Sequence, residues 1–472
     1  MPFPLLTLLA VLGAAGVGEG RGAAVVSGPV SSFGAATDSA GTVWVAVAWP
    51  DARLQVLRSD DRGGSWSSLA WVPLDSVARQ VEVVVGRGDS GRVFVFYLSA
   101  ANEGDLWAVA LDPENGEWRR STVSVGPDTI DDFAVAVDWD TNYYLYCLFA
   151  NEQRTGLTGH FTRSRDFGRS WEATQDWWNC WDPCLAHTAG STVHAVWRDA
   201  ESGRRIYYTS NRHYGAAANW GQLHSVGTGT GRSFGPVVVQ SDTLPEWFST
   251  VWVFYAVGRR DSSMTDIEFA FSTDGGWSWQ TGLTLDSSFG DEWLVDAQVS
   301  RGGSAVDICY YYGGKGPNEP TAVLWRCGSS LDPGFFSAAV KVSDVRCEPR
   351  ADGCRPRVVQ LPGAVPHGPG FLFSRFGPEG VWFSSPFGGK PDTASRPAIA
   401  GRPNPFRAGT CVRLAVADDP CGHVAVFDAL GRPVRVVRDG RWDGRDERGR
   451  RVPAGAYLLR CGRAQGRVVV SE

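Results

Sequence analysis

The sequence predicts an all-β chain: a propeller of seven four-stranded blades, with six as the alternative count, and then a small β-sandwich. Three observations predict it. The chain carries 21 Trp and 57 Gly in 472 residues, the usage of repeated strands joined by tight turns. A motif, Ser-x-Asp-x-Gly-x-x-Trp, recurs at intervals of roughly 45–60 residues, the size of a four-stranded blade. Near residue 390 the composition changes, and a proline-rich stretch leads into a basic module.

Hydrophobic residues are 43% and charged residues 20% of the chain, which excludes disorder throughout. A net charge of −6 argues against a general nucleic-acid binder. After the N-terminus no apolar run is long enough for a membrane-spanning helix. Arginine outnumbers lysine 42 to 3, so an isolated arginine says little about function.

Residues 1–22 read as a signal peptide. Leu5 to Val17 is apolar and small residues follow, although Met1-Pro2-Phe3-Pro4 lacks the usual basic start. Ten cysteines agree with export, as disulfides plus one or two buried thiols. Cys180 and Cys184, Cys347 and Cys354, and Cys411 and Cys421 are close in sequence, and Cys309 and Cys327 are candidates to face each other on neighbouring strands. Cys180-x3-Cys184 has no second half at zinc spacing, so no metal and no cofactor is expected.

The propeller is assigned to residues 23–390. Full motif copies are Ser59, Asp61, Gly63, Trp66; Ser164, Asp166, Gly168, Trp171; and Ser272, Asp274, Gly276, Trp279. Decayed copies are Asp112 to Trp118, Ser210 to Trp220, Ser330 to Phe336, and Ser384 to Gly389. The Ser and Asp side chains can accept backbone N–H bonds and close a hairpin turn. The Gly supplies positive φ, and the Trp packs on the blade. Second strands read as apolar and aromatic runs such as Val93-Phe94-Val95-Phe96-Tyr97 and Val251-Trp252-Val253-Phe254-Tyr255, suited to burial on both faces. Innermost strands include Gln80 to Val85, Phe133 to Val137, Pro236 to Val239 and Leu294 to Val299. The last blade lacks one strand, and Ala23 to Val30 is expected to supply it and close the ring. Asp138-x-Asp140-x-Asn142 has the start of a calcium loop without its Gly and Glu, and reads as a hairpin.

These motif residues are Asp-boxes, and this part of the chain resembles the sialidase-like β-propellers of the Asp-box superfamily. The resemblance implies that the Asp-box turn joins the third and fourth strands, on the face opposite the active site, so that Asp61, Asp166 and Asp274 are structural. It implies a ligand site over the central axis, built from loops entering the innermost strands. Those loops carry Arg79, Trp181, Asp182, Arg232, Trp293, Arg355 and Arg357, the candidate ligand-binding residues. Arginine suits a carboxylate because its guanidinium is planar and bidentate. The family's N-terminal Arg-Ile-Pro motif is missing; the matching region reads Ser31-Ser32-Phe33-Gly34. Arg79, Arg232 and Arg357 form a triad only in a different arrangement. For a glycosidase the carboxylate candidates are Asp131, Asp132, Asp291 and Glu292.

A linker is assigned to residues 391–403 and a C-terminal domain to 404–472. Residues 396–472 hold 15 Arg against 8 Asp and Glu, net +7, which leaves −13 on the remainder. Asn404-Pro405-Phe406, Phe427 to Val434, and Trp442-Asp443-Gly444 through Tyr457 resemble the Ig-like domain of the flagellar hook-capping protein. They also resemble type A sorting domains of type IX secretion. That resemblance implies export machinery as a partner and surface attachment. The sequence therefore reads as a secreted or surface-attached bacterial protein that binds glycan or another polar ligand and not nucleic acid. The alternatives are a sialidase-like exo-glycosidase and a structural display protein.

Overall fold

In the computed structural model the described residues are 23–471 except 39, 87–91, 102–103, 112–116, 125–128, 139–143, 154–155, 188–189, 242–248, 260–263, 287–290, 301–304, 314–321, 331, 344–354, 362–367, 376–379, 386–397, 403–405, 408–411, 417–423, 428–432, 438–440 and 462–463. The chain separates into two units, Met1–Gly388 and Gly389–Glu472. Residues 1–22, the expected signal peptide, lie outside the described residues, as do Cys347, Cys354, Cys411 and Cys421.

The first unit is a seven-bladed propeller. Blade one is Ser32–Thr37, Val43–Trp49, Arg53–Ser59 and Ser67–Pro73. Five further meanders begin with the innermost strands Ala78–Val85, Thr129–Val137, Cys180–His187, Ser233–Gln240 and Asp291–Val299. Blade seven takes three strands from Arg357–Leu361, Gly368–Arg375 and Gly380–Ser384, and its outer strand from Ala23–Ser27. Ala23 pairs with Phe383 and Ser27 with Gly380, so the expected closure of the ring is present. The second strands are buried along most of their length, Val93–Ser99 and Val193–Asp199 throughout, because neighbouring blades cover both faces.

The three full motif copies form the same turn between third and fourth strands. Asp61 accepts from Ser59 Oγ (2.8 Å), Ser65 N (2.8 Å) and Ser65 Oγ (2.7 Å), and Gly63 N donates to Ser59 Oγ at 2.8 Å. Ser164, Asp166, Gly168 and Ser170 repeat the pattern, as do Ser272, Asp274, Gly276 and Ser278. The tryptophan packs on the preceding blade: Trp66 against Phe383 of blade seven, Trp171 against Phe96 of blade two, Trp279 against Tyr208 of blade four. Gly63 has φ +86°, and a Cβ there would lie 2.3 Å from the Phe383 ring. The motif thus joins blades as well as closing a hairpin.

In blade four the decayed copy starts at Asn211, one residue later than Ser210. Asn211 Oδ1 accepts from Gly215 N at 3.1 Å, the bond that Ser59 makes with Gly63. In blade six the expected Ser330 to Phe336 turn is instead largely strand, since Asp332–Phe336 pairs with Gly328 and Ser329. The copy at Asp112 to Trp118 falls mostly outside the described residues, as does the one at Ser384 to Gly389.

Five cysteines, 147, 180, 184, 309 and 327, are free thiols. This corrects the expected pairings at Cys180–Cys184 and Cys309–Cys327. A bulge between Trp181 and Cys184 leaves Cys180 packed toward blade three and Cys184 toward blade five. Across the sheet Cys309 faces Trp325, while Cys327 faces Asp307.

The second unit is one sheet in the order Pro433–Val437, Val424–Phe427, Gly455–Cys461, Ala464–Ser471, Ala398–Arg402, Val412–Val416 and Arg441–Trp442, with Phe406–Arg407 beside Ala464–Ser471. Ala398–Arg402, expected within the linker, is a strand of this sheet. Trp442 is fully buried, 5.2 Å from the Tyr457 ring and bonded through Nε1 to Arg445 O at 2.9 Å. Tyr457 Oη donates to Pro453 O at 2.7 Å.

Candidate functional site at the propeller axis

The innermost strands surround a cavity of about 250 Å³. Its charged and amide lining includes Gln80, Glu82, Asp132, Gln240, Asp296 and Gln298 on those strands, with Arg355 and Arg357 at the approach to the last. Arg357 of blade seven donates to Glu82 Oε1 of blade two at 2.5 Å. The pair passes over blade one, whose innermost strand is built from small residues, Gly34-Ala35-Ala36. A Cβ on Gly34 would sit 2.8 Å from Val81 O, so this strand also needs its glycine to lie against blade two. Asp296 accepts from Val358 N at 2.8 Å. Burial raises its pKa, which Arg357 only partly offsets.

Asp132 Oδ1 accepts from Phe133 N at 2.8 Å. Burial pushes its pKa up to about 7, with Arg355 pulling down and Asp182 pushing further up. It is a carboxyl able to hold or release a proton near neutrality.

At this end the innermost strands of blades four to six share an irregularity. Pairing breaks between Trp181 and Cys184, Phe234 and Val237, and Trp293 and Asp296. The residue after each aromatic is left-handed: Asp182 at φ +46°, Gly235 at +49°, Leu294 at +52°. For Asp182 and Leu294 that conformation is strained. The bulge sets the Asp182 carboxylate between its own blade's second strand and the next blade, where Oδ2 accepts from Arg198 Nε of blade four (2.9 Å) and from Gly235 N of blade five (3.0 Å). The Arg198 guanidinium lies 4.1 Å over Trp181 and 5.5 Å from Phe234, and Arg232 is 5.4 Å from Phe234. Arg198 Nη1 is buried with no hydrogen-bond partner among the described residues.

The candidates from sequence separate into three groups. Arg355, Arg357 and Asp132 line the cavity, and Trp181, Asp182 and Arg232 belong to the Arg198 cluster. The remainder point elsewhere. Arg79 donates to Ile130 O. Asp291 is held by Thr265 N at 2.7 Å and Oγ1 at 2.8 Å. Glu292 is fully buried 3.9 Å from Arg259, and Trp293 packs against Gly313. Asp131 lies beside Asp132 and does not line the cavity. Of Arg79, Arg232 and Arg357, only Arg357 lines it. Glu82, Asp296, Gln80 and Gln298 were missed. Their signal was polar residues at period two within otherwise apolar strands, Gln80-Val81-Glu82-Val83 and Asp296-Ala297-Gln298-Val299.

No family model and no curated protein matches the chain. Solved propellers do. A lectin of Burkholderia pseudomallei is 12% identical with TM-score 0.55, over 78% of this chain and 98% of its own. The Aleuria aurantia lectin in complex with Fucα1-6GlcNAc is 13% identical with TM-score 0.43, over 66% and 97%. The NanB sialidase of Streptococcus pneumoniae is 11% identical with TM-score 0.39, over 76% and 68%. At these identities the likeness is one of fold.

Proposed function

We propose that the propeller binds a glycan or another polar ligand at its axial mouth, on an exported or surface-attached protein. The carrying observation is the set of charged groups on one cavity: Asp132, Asp296, Glu82, Arg355 and Arg357. Buried charge pairs contribute little to stability against apolar packing, so their gathering in a cleft favours recognition. The Trp181–Arg198 stack adds an aromatic wall beside them. Lectins among the structural neighbours agree with this reading.

The recurring turns at Asp61, Asp166 and Asp274 are read as Asp-boxes with a structural role. The basic second unit is read as an Ig-like sorting module that engages export machinery. No cofactor or metal enters the proposal. The glycosidase alternative draws on Asp132, whose pKa suits a general acid.

A glycan array with a fluorogenic glycoside panel tests the reading. The expected result is a bound polar glycan, lost in Arg355→Gln, with no hydrolysis. Hydrolysis abolished by Asp132→Asn favours the enzyme instead. No ligand for the wild-type chain contradicts both. For the second unit, deleting residues 396–472 is expected to leave the propeller folded and abolish surface delivery, read by fractionation of the native host. Equal delivery of the truncated chain contradicts the sorting role.

A further inference from the structure

A second cavity of about 190 Å³ lies between blades four and five, lined by Ser210, Arg212, His213, Asn219, Gly221, Gln222, His224, Gly276 and Trp277. It is formed by connections between third and fourth strands, so in the up-and-down meander it lies at the opposite end from the axial mouth. Blade four departs from the repeat here. Its connection runs over residues 212–223 with a short 3-10 turn at Ala217–Asn219, whereas blades one and five use 60–66 and 273–279.

Trp277 is out of place as a packing residue. It is 61% exposed, the most exposed large hydrophobic side chain among those described. The other two full motif copies have Gly64 and Arg169 at this position. The turn fixes its backbone, since Trp277 N donates to Asp274 Oδ1 at 3.0 Å. Arg212 lies 4.7 Å from the ring centroid, with Nη2 3.4 Å from Gly275 O. No carboxylate lines the cavity or pairs with Arg212 among the described residues. The side chains of Gln222, Asn219 and His213 likewise make no hydrogen bond there. An exposed indole on a fixed turn, an arginine without a counter-ion among the described residues, and free amide and imidazole groups thus converge on one concave site.

We infer that this inter-blade cavity is a second binding site, for a carboxylated saccharide of the uronic-acid type. The indole receives the apolar face of a sugar ring, Arg212 the carboxylate through its free guanidinium edge, and the amides the hydroxyls. The inference is independent of the axial site, since no residue is shared.

Titration calorimetry of the full chain with oligogalacturonate tests it. Binding is expected to weaken about tenfold or more in Trp277→Ala and in Arg212→Gln, consistent with a lost stack or charge-assisted bond. The melting temperature should not change, because Trp277 is outside the core. Trp181→Ala at the axial mouth should bind as wild type. Wild-type affinity in both Trp277→Ala and Arg212→Gln overturns the inference, as does a chain that binds no acidic oligosaccharide. Loss of binding only in Trp181→Ala assigns the ligand to the axial mouth and overturns this site while sparing that one. Equal affinity for a neutral galactose oligomer overturns the acidic class. Equal affinity for inorganic sulfate overturns the role of the ring.

Discussion

The two ends of the propeller solve opposite problems. At one end, three turns repeat a single hydrogen-bond pattern, and each turn's serine and aspartate oxygens are held by short local bonds. At the other, the innermost strands are bulged and charged groups line a cavity, while left-handed non-glycine residues occur at both ends, at Arg62 and Phe167 in the turns and at Asp182 and Leu294 in the bulges. The comparison teaches where this chain stores order and where it tolerates cost. Local turns that satisfy their own polar groups stabilise the blades. The irregular end holds groups that apolar residues would replace with little loss of stability.

The largest effect expected from breaking this contrast is at the Arg357–Glu82 pair, which lines the cavity. Arg357→Met leaves a mostly buried carboxylate alone and should cost about 3–5 kcal/mol. Urea unfolding measures it, and a loss under about 1 kcal/mol would mean that water enters the cavity and solvates Glu82. Next comes Gly63→Ala at the regular end. A positive φ and a Cβ overlapping Phe383 should together cost about 2–4 kcal/mol. The loss should appear at the seam between blades one and seven, where hydrogen exchange in Ala23–Ser27 and Gly380–Ser384 should rise first.

A smaller effect, about 1–2 kcal/mol, is expected for Asp166→Ala through its lost turn bonds. Ligand binding at the axis should survive; its loss with unchanged melting would contradict the structural reading of the turn. The pH dependence has a definite sign. Burial acts to raise the pKa of Asp166, but hydrogen bonds from Ser170, Ser164 and Arg169 hold it below 3.8. Its contribution is therefore present above about pH 4 and fades as pH falls through the depressed value.

The sequence carried most of the fold because the fold is repetitive. Three exact motif copies and apolar second strands define the blade, and Ala23 to Val30 had a place only as the missing strand. The motif's second role, packing on the preceding blade, was not legible, since Trp66 meets Phe383 some 300 residues away. The axial site was only partly legible. Loop residues such as Arg355 and Trp181 stood out by position, but Glu82 and Asp296 were hidden inside strands that read as core. The thiols misled because a bulge changes which face Cys184 occupies. The second unit's start was also missed, since Ala398–Arg402 follows a proline-rich stretch and has no turn signal of its own.

The central claim is that the axial end holds charge which opposes folding while the turn end holds charge which supports it. The most direct test compares the unfolding free energy of wild type and Asp132→Asn from pH 4 to pH 8. Asp132 has a folded pKa of about 7 against 3.8 unfolded, so the folded state holds the proton more tightly. Its contribution to stability must fall as pH rises across that window and level off above it. The account predicts that the asparagine variant matches wild type near pH 4 and gains on it steadily to about pH 7. A difference that stays flat over the window, or that favours wild type at pH 8, would contradict it.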